Sequence, residues 1–117
     1  MKAIIELSRR GSIFSAAARQ VAGSRRGRRP DYLLSFESAR SLFAELTPAR
    51  LDLLDTLRRT GASSVNALAK AARRNYSNVH TDVARLEELG LIERAEDGSV
   101  AVPFDAVEIR FPLAQVA

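Results

Sequence analysis

The chain has 117 residues, of which 46% are hydrophobic and 27% charged, a composition typical of one folded domain and not of a disordered chain. It contains no cysteine, which excludes a disulfide framework, a thiolate zinc site and cysteine catalysis. The net charge of +4 is uneven, because residues 1–30 carry eight Lys/Arg and one Glu, whereas residues 91–117 carry two Arg and five acids. The N-terminal quarter is therefore attracted to polyanions such as nucleic acid, an acidic membrane or an acidic partner, unless the charges form only a solvated surface.

The first 30 residues predict a strand, a helix and a basic linker. Residues 3–7 ("AIIEL") read as a short strand, and apolar residues share one face of a helix over residues 13–22, which Ser12 can cap. The loop-like segment "GSRRGRRP" follows and contains four arginines, Arg25, Arg26, Arg28 and Arg29. We therefore expect a strand–helix extension with a basic linker over residues 1–30 and the main domain over residues 31–117.

Nothing in the sequence predicts a secretion signal or a membrane span. Glu6, Arg9 and Arg10 interrupt the short apolar run at the start of the chain. No stretch approaches the ~18 consecutive apolar residues of a membrane helix. The sequence predicts a cytoplasmic protein.

Helical periodicity resumes at about residue 38 and continues to residue 90, divided by capping residues. Thr47 with Pro48 predicts the start of a helix that Gly61 ends. Ser64 is the expected N-cap of a short helix, and Asn75 that of a longer helix ending at Gly90.

After residue 90 the apolar period changes from 3.6 to 2. The runs "LIER" and "SVAVP" are joined by "AEDG", which predicts a β-hairpin. Alternation over residues 107–113 predicts a last strand with one buried face, whose apolar residues are Val107, Ile109, Phe111 and Leu113. This strand can pair with residues 3–7, which would bring the two termini together.

The predicted elements follow the order of a winged helix, namely helix, short helix, tight turn, longer helix and β-hairpin. In a winged helix the short helix and the next helix form a helix-turn-helix. We therefore predict a mainly α fold with a small β component (α+β class), consisting of a winged helix-turn-helix with an N-terminal strand–helix extension and a C-terminal strand.

The helix that starts after Asn75 has a polar face suited to reading DNA. Val79, Val83 and Leu86 share its inner side at 100° per residue. The expected base-reading residues lie on the outer side or its flank, and they are Ser77, Asn78, Thr81 and Arg85. The expected contacts to the sugar-phosphate backbone are Lys70, Arg73, Arg74, Tyr76, His80 and Arg94.

A polar outer face is also what any surface helix shows. Asp82, Glu87 and Glu88 make the second half of this helix unfavourable for DNA. Some winged helices serve only as protein-interaction modules, so that interpretation stays open beside DNA binding.

At this point the sequence resembles a known family. The segment "SSVNALAKAARRNYSNVHTDVARLEELGLIER", followed by "EDG" and "VPFDAVEI", is similar to the MarR-type winged-helix DNA-binding proteins of bacteria and archaea, over about residues 36–109. Its core "NYSNVHTDV" with "RLEELGLIE" resembles a subgroup of transcriptional regulators, some regarded as antitoxins of toxin–antitoxin pairs. The resemblance implies sequence-specific binding of double-stranded DNA as a homodimer and repression of the protein's own operon. It also implies helix-face roles for Tyr76, Ser77, Asn78, Thr81 and Arg85.

The sequence departs from the pattern of this family at the wing, the β-hairpin that follows the longer helix. Many winged helices insert an Arg or Lys from the wing tip into the minor groove, whereas the tip here contains Glu96 and Asp97, with only Arg94 nearby. We therefore expect a minor role for the wing. The four arginines of the linker can supply the missing charge as a flexible arm on DNA, or can bind an acidic partner such as a toxin.

Catalysis is not expected. His80 is the single histidine, no phosphate-binding Gly-rich loop is present, and no cluster of metal ligands is visible. The sequence therefore predicts a non-enzymatic protein without cofactor or metal. Its expected partners are a palindromic operator, a second copy of the chain and, as an alternative, a toxin protein held through residues 1–30.

Overall fold

The computed structural model describes residues 1–8, 16–20 and 30–113, with the backbone alone for residues 16–20. These residues form an α+β fold with four helices, which agrees with the predicted class. In chain order the elements are β1 (Lys2–Leu7), β2 (Ala16–Gln20), β3 (Tyr32–Phe36), α1 (Ala39–Glu45), α2 (Pro48–Thr60), α3 (Val65–Ala72), α4 (Tyr76–Glu88), β4 (Glu93–Arg94), β5 (Val100–Ala101) and β6 (Ala106–Arg110).

The chain divides into two compact units, the sheet unit (residues 1–45 and 104–117) and the helical unit (residues 46–103). This division differs from the predicted boundary at residue 30. The reason is that β1 pairs with both β3 and β6, so that the two ends of the chain belong to one sheet.

The sheet unit contains a four-stranded sheet in the order β2-β3-β1-β6. β1 runs parallel to β3 and to β6, and β2 runs antiparallel to β3. Ala3, Ile5, Leu34 and Phe36 are at most 1% exposed. The core of this unit therefore lies on its two central strands.

The helix predicted over residues 13–22 is wrong where it can be compared. Ala16–Gln20 form β2, paired with β3 from Ala16 opposite Phe36 to Gln20 opposite Tyr32. Residues 13–15 and 21–22 lie outside the described residues. The alanine-rich segment favours a helix locally, but the backbone hydrogen bonds of an antiparallel pair outweigh that preference.

The C-terminal strand exists and pairs with β1, as predicted, but two details of the prediction are wrong. The pairing is parallel, with Lys2 opposite Ala106 and Glu6 opposite Arg110, so the end of β6 lies beside the end of β1 and not beside Met1. The apolar face is not buried, because Ile109, Phe111 and Leu113 are 37%, 52% and 79% exposed. Alternation identifies an amphipathic strand, but it does not specify what covers the apolar face.

The helical unit follows the predicted caps closely. The Thr47 hydroxyl accepts a hydrogen bond from Arg50 N, Pro48 begins α2, and Gly61 follows its end with φ 84°. This φ explains the glycine, since residues with a side chain rarely adopt it. The fully buried side chains of the unit come from all three helices and the strand region, and they include Leu57, Leu68, Val79, Val83, Leu86, Leu91 and Val100.

A small hairpin completes the helical unit. β4 and β5 pair antiparallel, and Gly98 (φ 87°) occupies the turn between them, as the "EDG" signal predicts. Ser63, between α2 and α3, forms an isolated bridge with Val100 of β5. Arg58 Nη1 donates to Val102 O at 3.1 Å. These bonds tie the hairpin to the start of α3 and to α2.

In the part of the chain that the structure describes, each helix is too short or too polar to cross a membrane.

Candidate nucleic-acid interface

Local capping bonds define the turn between α3 and α4. The Ser64 hydroxyl accepts from Ala67 N at 3.0 Å at the start of α3. α3 ends at Arg73, whose φ of 55° and ψ of 46° are left-handed. Asn75 Oδ1 accepts from Ser77 N at 2.9 Å and caps α4. Ser64 and Asn75 thus begin the two helices as the sequence predicts, and only residues 73–75 separate them.

The inner side of α4 fixes how the helix is rotated. Val79, Val83 and Leu86 are completely buried. Because these three residues point inward, Ser77, Asn78 and Thr81 point outward, and all three are exposed. The structure therefore brings these three predicted base-reading residues together on the first two turns of α4.

The hydroxyls of this outer face make local hydrogen bonds, whereas the amide of Asn78 does not. Ser77 Oγ donates to Asn75 Oδ1 at 2.7 Å, and Thr81 Oγ1 donates to Ser77 O at 3.0 Å. The Asn78 side chain makes no hydrogen bond to any described residue. Its donor and acceptor groups are thus available for a base edge.

Arg85 is less available than the sequence indicates. It lies one turn further along α4, is about one-third exposed, and its Nη1 is 2.8 Å from Glu88 Oε2. Exposed pairs of this kind are weak. Arg85 can bind a base only if its ion pair with Glu88 is broken.

The six predicted backbone contacts fall into three groups. Lys70 and Arg73 are exposed and make no ion pair with any described residue. Tyr76 and His80 are also exposed, with ring centroids 5.8 Å apart on the outer side of α4. Arg74 and Arg94 are bound within the fold. Arg94 Nε contacts Glu87 at 3.1 Å and its Nη1 contacts Gly98 O, which ties the hairpin to α4.

Arg74 belongs to a network that sequence reasoning missed. Asp82 Oδ2 is 2.7 Å from Arg74 Nη2, and Asp82 Oδ1 is 2.9 Å from Arg50 Nε. The side chains of Asp82, Arg50 and Arg74 are only 14%, 17% and 28% exposed. The carboxylate of α4 thus joins α2 to the turn that precedes α4. Arg50 comes from a distant part of the chain, so no local signal indicates this contact.

The network also sets the charge of Asp82. Burial alone would raise the pKa of this carboxyl, but the hydrogen bonds and positive charges of Arg74 and Arg50 outweigh burial and hold the pKa below its usual value. Asp82 is therefore ionised at neutral pH and its charge is compensated twice. The residue that sequence reasoning treated as unfavourable for DNA is neutralised inside the unit.

The hairpin tip carries an uncompensated negative charge. Asp97 Oδ1 accepts from the Ser99 hydroxyl at 2.7 Å and from Ser99 N at 2.9 Å. These bonds hold the pKa of the Asp97 carboxyl below its usual value. A carboxylate that is ionised at neutral pH repels phosphate at the tip.

The four linker arginines, Arg25, Arg26, Arg28 and Arg29, lie outside the described residues. Among the residues that are described, no group of three or more His, Cys, Asp or Glu side chains is placed to hold a metal ion.

The HVO_A0114 family model matches residues 45–109, more than half of the chain. The matched segment contains the whole helical unit and most of β6. Neither the curated proteins nor the solved structures give a match. On the extent of the family match, the chain belongs to the HVO_A0114 family.

Proposed function

We propose that this protein is a sequence-specific regulator of transcription that binds double-stranded DNA, and that its helical unit is a winged helix of the MarR type. The order of elements supports the fold assignment. α2, the bridging residue Ser63, α3, α4, β4 and β5 follow one another as the elements of a winged helix do. In this assignment α3 and α4 are the helix-turn-helix, and α4 enters the major groove.

The observation that carries the proposal is the composition of one corner of the helical unit. The exposed outer face of α4 begins with Ser77, Asn78 and Thr81, and two cations that make no ion pair with any described residue, Lys70 and Arg73, come just before it. Polar side chains at the start of a recognition helix hydrogen-bond base edges, and flanking cations position the protein on the duplex.

The acids of α4 no longer oppose this function. Asp82 is compensated by Arg50 and Arg74, and Glu87 and Glu88 are paired with Arg94 and Arg85. The exposed acids of the hairpin without an ion partner among the described residues are Glu93 in β4 and, at the tip, Glu96 and Asp97. We therefore assign binding to the start of α4 and a minor role to the wing.

The structure changes the assignment of individual residues within the proposal. Asn78 is the principal base-reading residue, Ser77 and Thr81 support it, and Arg85 contributes after release from Glu88. Lys70, Arg73, Tyr76 and His80 remain the backbone contacts. Arg74 and Arg94 become structural residues because their guanidinium groups bind carboxylates of the unit.

The backbone of Arg73 gives an independent reason to expect a function for its side chain. Arg73 is the one non-glycine residue with positive φ in the described part of the chain. A left-handed conformation costs roughly 1 kcal/mol for a residue with a side chain, and glycine is the usual residue at this position after a helix. Arg73 therefore occupies this position at a cost to stability, and such strained residues cluster at functional sites.

Arg73→Gly should therefore change stability and DNA binding in opposite directions. We expect the free energy of unfolding to rise by about 0.5–1 kcal/mol, because strain is removed, while DNA affinity falls because a cation is lost. Urea unfolding and fluorescence anisotropy with a labelled duplex measure the two quantities. Arg73→Ala is the matched control, since it removes the cation and keeps the strain. Equal affinity of all three proteins for DNA would exclude Arg73 from the interface.

The experiment that tests the proposed function compares two duplexes. Purified protein is titrated against the DNA upstream of its own gene and against a scrambled duplex of the same composition, at several salt concentrations. We expect tighter binding to the native fragment, and a preference that survives when added salt weakens binding to both. Equal affinity for both duplexes, lost together as salt rises, would show only generic attraction.

A second candidate is a protein-interaction module that holds a toxin. The exposed apolar side chains of Ile109, Phe111 and Leu113 favour a protein partner. Truncation of residues 1–30 cannot separate the two functions, because it removes β1, a central strand of the sheet. Replacing the four linker arginines, Arg25, Arg26, Arg28 and Arg29, by glutamine keeps β1. This variant should keep its preference for the native duplex if the arginines act as a non-specific arm, and should lose an acidic partner if they bind one.

A further inference from the structure

Among the residues that the structure describes, the outer side of β6 is an open edge of the sheet. β6 is an edge strand, and no described strand pairs with its outer side. Ile109 in β6, and Phe111 and Leu113 just after it, are at least one-third exposed. Natural edge strands are usually covered, bulged or interrupted by lysine or proline, because an open edge pairs with other strands. From Val107 to Phe111 the segment contains no lysine and no proline.

The backbone groups that point outward can be identified from the register. Along a strand, successive residues direct their N–H and C=O groups alternately to the two sides. Ser8 N donates to Phe36 O of β3. The backbone N–H and C=O groups of the even-numbered residues of β1 therefore point toward β3, and those of Ile5 point toward β6. In a parallel pair, a residue whose backbone groups point toward the neighbouring strand lies opposite a residue whose backbone groups point away from it. Ile109 lies opposite Ile5, so the backbone groups of Val107 and Ile109 point away from β1.

These outward groups restrict how a second copy of β6 can pair with the first. In an antiparallel pair with two-fold symmetry, hydrogen bonds form only when outward-facing residues of the two strands lie opposite each other. The registers nearest the middle of the segment that meet this condition are centred on residues 108, 109 and 110. Centring on Glu108 places two carboxylates opposite each other, and centring on Arg110 does the same for two guanidinium groups. Centring on Ile109 places Glu108 opposite Arg110 of the second copy, twice.

The register centred on Ile109 also places apolar side chains of the two copies opposite each other. Ile109 lies opposite its own copy, and half-buried Val107 lies opposite Phe111 of the second copy, so that the exposed side chains of Ile109 and Phe111 gain apolar neighbours. Glu108 and Arg110 lie on the other face as non-hydrogen-bonded pairs, which have the shorter side-chain separation. Charge, hydrogen bonding and apolar contact thus agree in one register.

We propose that two copies of this chain associate through antiparallel pairing of their β6 strands about a two-fold axis at Ile109, so that one sheet continues through both copies. Such an interface is isologous and closes on itself, so it forms a dimer and not a fibre. The pairing reduces the exposure of Ile109 and Phe111 along the edge that is open in one copy. This inference deepens the proposed function, on which its biological meaning rests, because a palindromic operator requires a two-fold symmetric protein.

Charge exchange on the full-length chain tests the register. Sedimentation equilibrium over a concentration series gives the dissociation constant of the dimer without DNA, so its failure is distinct from failure of DNA binding. Arg110→Glu places carboxylates opposite each other and should raise the dissociation constant at least tenfold. The double variant Glu108→Arg/Arg110→Glu restores opposite charges across the axis, although it removes the 3.1 Å contact of Lys2 Nζ with Glu108 Oε1 within each copy, and it should return the constant to within about threefold of wild type. Ile109→Lys should give a monomer.

Phe43→Ser is the control for apolar exposure alone. Phe43 is a half-exposed aromatic on α1, outside β6, so this variant should dimerise like wild type. Circular dichroism verifies that each variant folds. If Ile109→Lys does not fold, the charge variants at residues 108 and 110 decide between the outcomes. A wild-type monomer at about 100 µM, an Arg110→Glu variant that dimerises like wild type, or a double variant as weak as Arg110→Glu would each overturn the proposal.

Discussion

Replacement of Asp82 by asparagine is expected to lower the free energy of unfolding by about 2–4 kcal/mol. The variant keeps the shape of the side chain but removes the charge that Arg50 and Arg74 share. Both guanidinium groups are less than one-third exposed, so they would lose their counter-charge where water compensates only partly. α4 would lose its link to α2 and to the turn before it, and the helical unit should unfold at lower urea concentration.

Asp55→Asn is the matched control for this experiment. Asp55 is 79% exposed and lies 3.8 Å from Arg59 on the same helix. Such a pair contributes little, so we expect a change below about 0.5 kcal/mol. If Asp82→Asn destabilised the protein no more than Asp55→Asn, the network would not be the link that we describe.

The same carboxylate should make stability depend on pH. Because the folded protein holds the pKa of Asp82 below its usual value, ionised Asp82 stabilises the fold at pH values above the ordinary aspartate pKa. This contribution is lost as pH falls through the lowered pKa. Wild type should therefore lose more stability than Asp82→Asn between neutral pH and about pH 3. Parallel curves for the two proteins would contradict the assignment.

Removal of the two unpaired cations that precede α4, by Lys70→Gln with Arg73→Gln, should weaken binding to every duplex. Each phosphate contact contributes about one unit to the slope of log affinity against log salt, so the slope should fall by about two. Affinity at low salt should fall tenfold or more, whereas the preference for the native fragment over the scrambled one should remain. A salt titration by fluorescence anisotropy measures all three quantities.

The control for this variant removes the same charge elsewhere. Arg40→Gln with Arg59→Gln replaces two exposed arginines on α1 and α2. If net charge alone attracted DNA, both double variants would lose equal affinity. A loss confined to the Lys70 and Arg73 variant locates the phosphate contacts at the corner where α3 meets α4.

The helical unit could be predicted from sequence because its signals are local. Thr47, Ser64 and Asn75 each accept a hydrogen bond from a backbone N–H two or three residues later. Gly61 and Gly98 occupy left-handed or related conformations within a few residues of the elements that they end. Every one of these choices is decided within about one helical turn, so neighbouring residues contain the information.

The sheet unit and the Asp82 network could not be predicted in the same way. β2 forms because Ala16–Gln20 pair with β3, and the local preference for a helix does not reveal this pairing. The burial of β6 depends on what lies over its apolar face, which alternation alone does not state. Arg74 resembles a phosphate contact in sequence, and its partner Asp82 is 8 positions away, while Arg50, which binds the same carboxylate, is 24 positions away.

The central claim is that the outer face of α4 reads base sequence, and the specificity of Asn78→Ala tests it most directly. The measured quantity is the ratio of affinities for the native and the scrambled duplex, compared among wild type, Asn78→Ala and the control Asn66→Ala, an exposed asparagine on α3. We predict that Asn78→Ala reduces the preference by about 1–3 kcal/mol and that Asn66→Ala leaves it unchanged. An unchanged ratio for Asn78→Ala, with wild type preferring the native duplex, would show that the bases are read elsewhere.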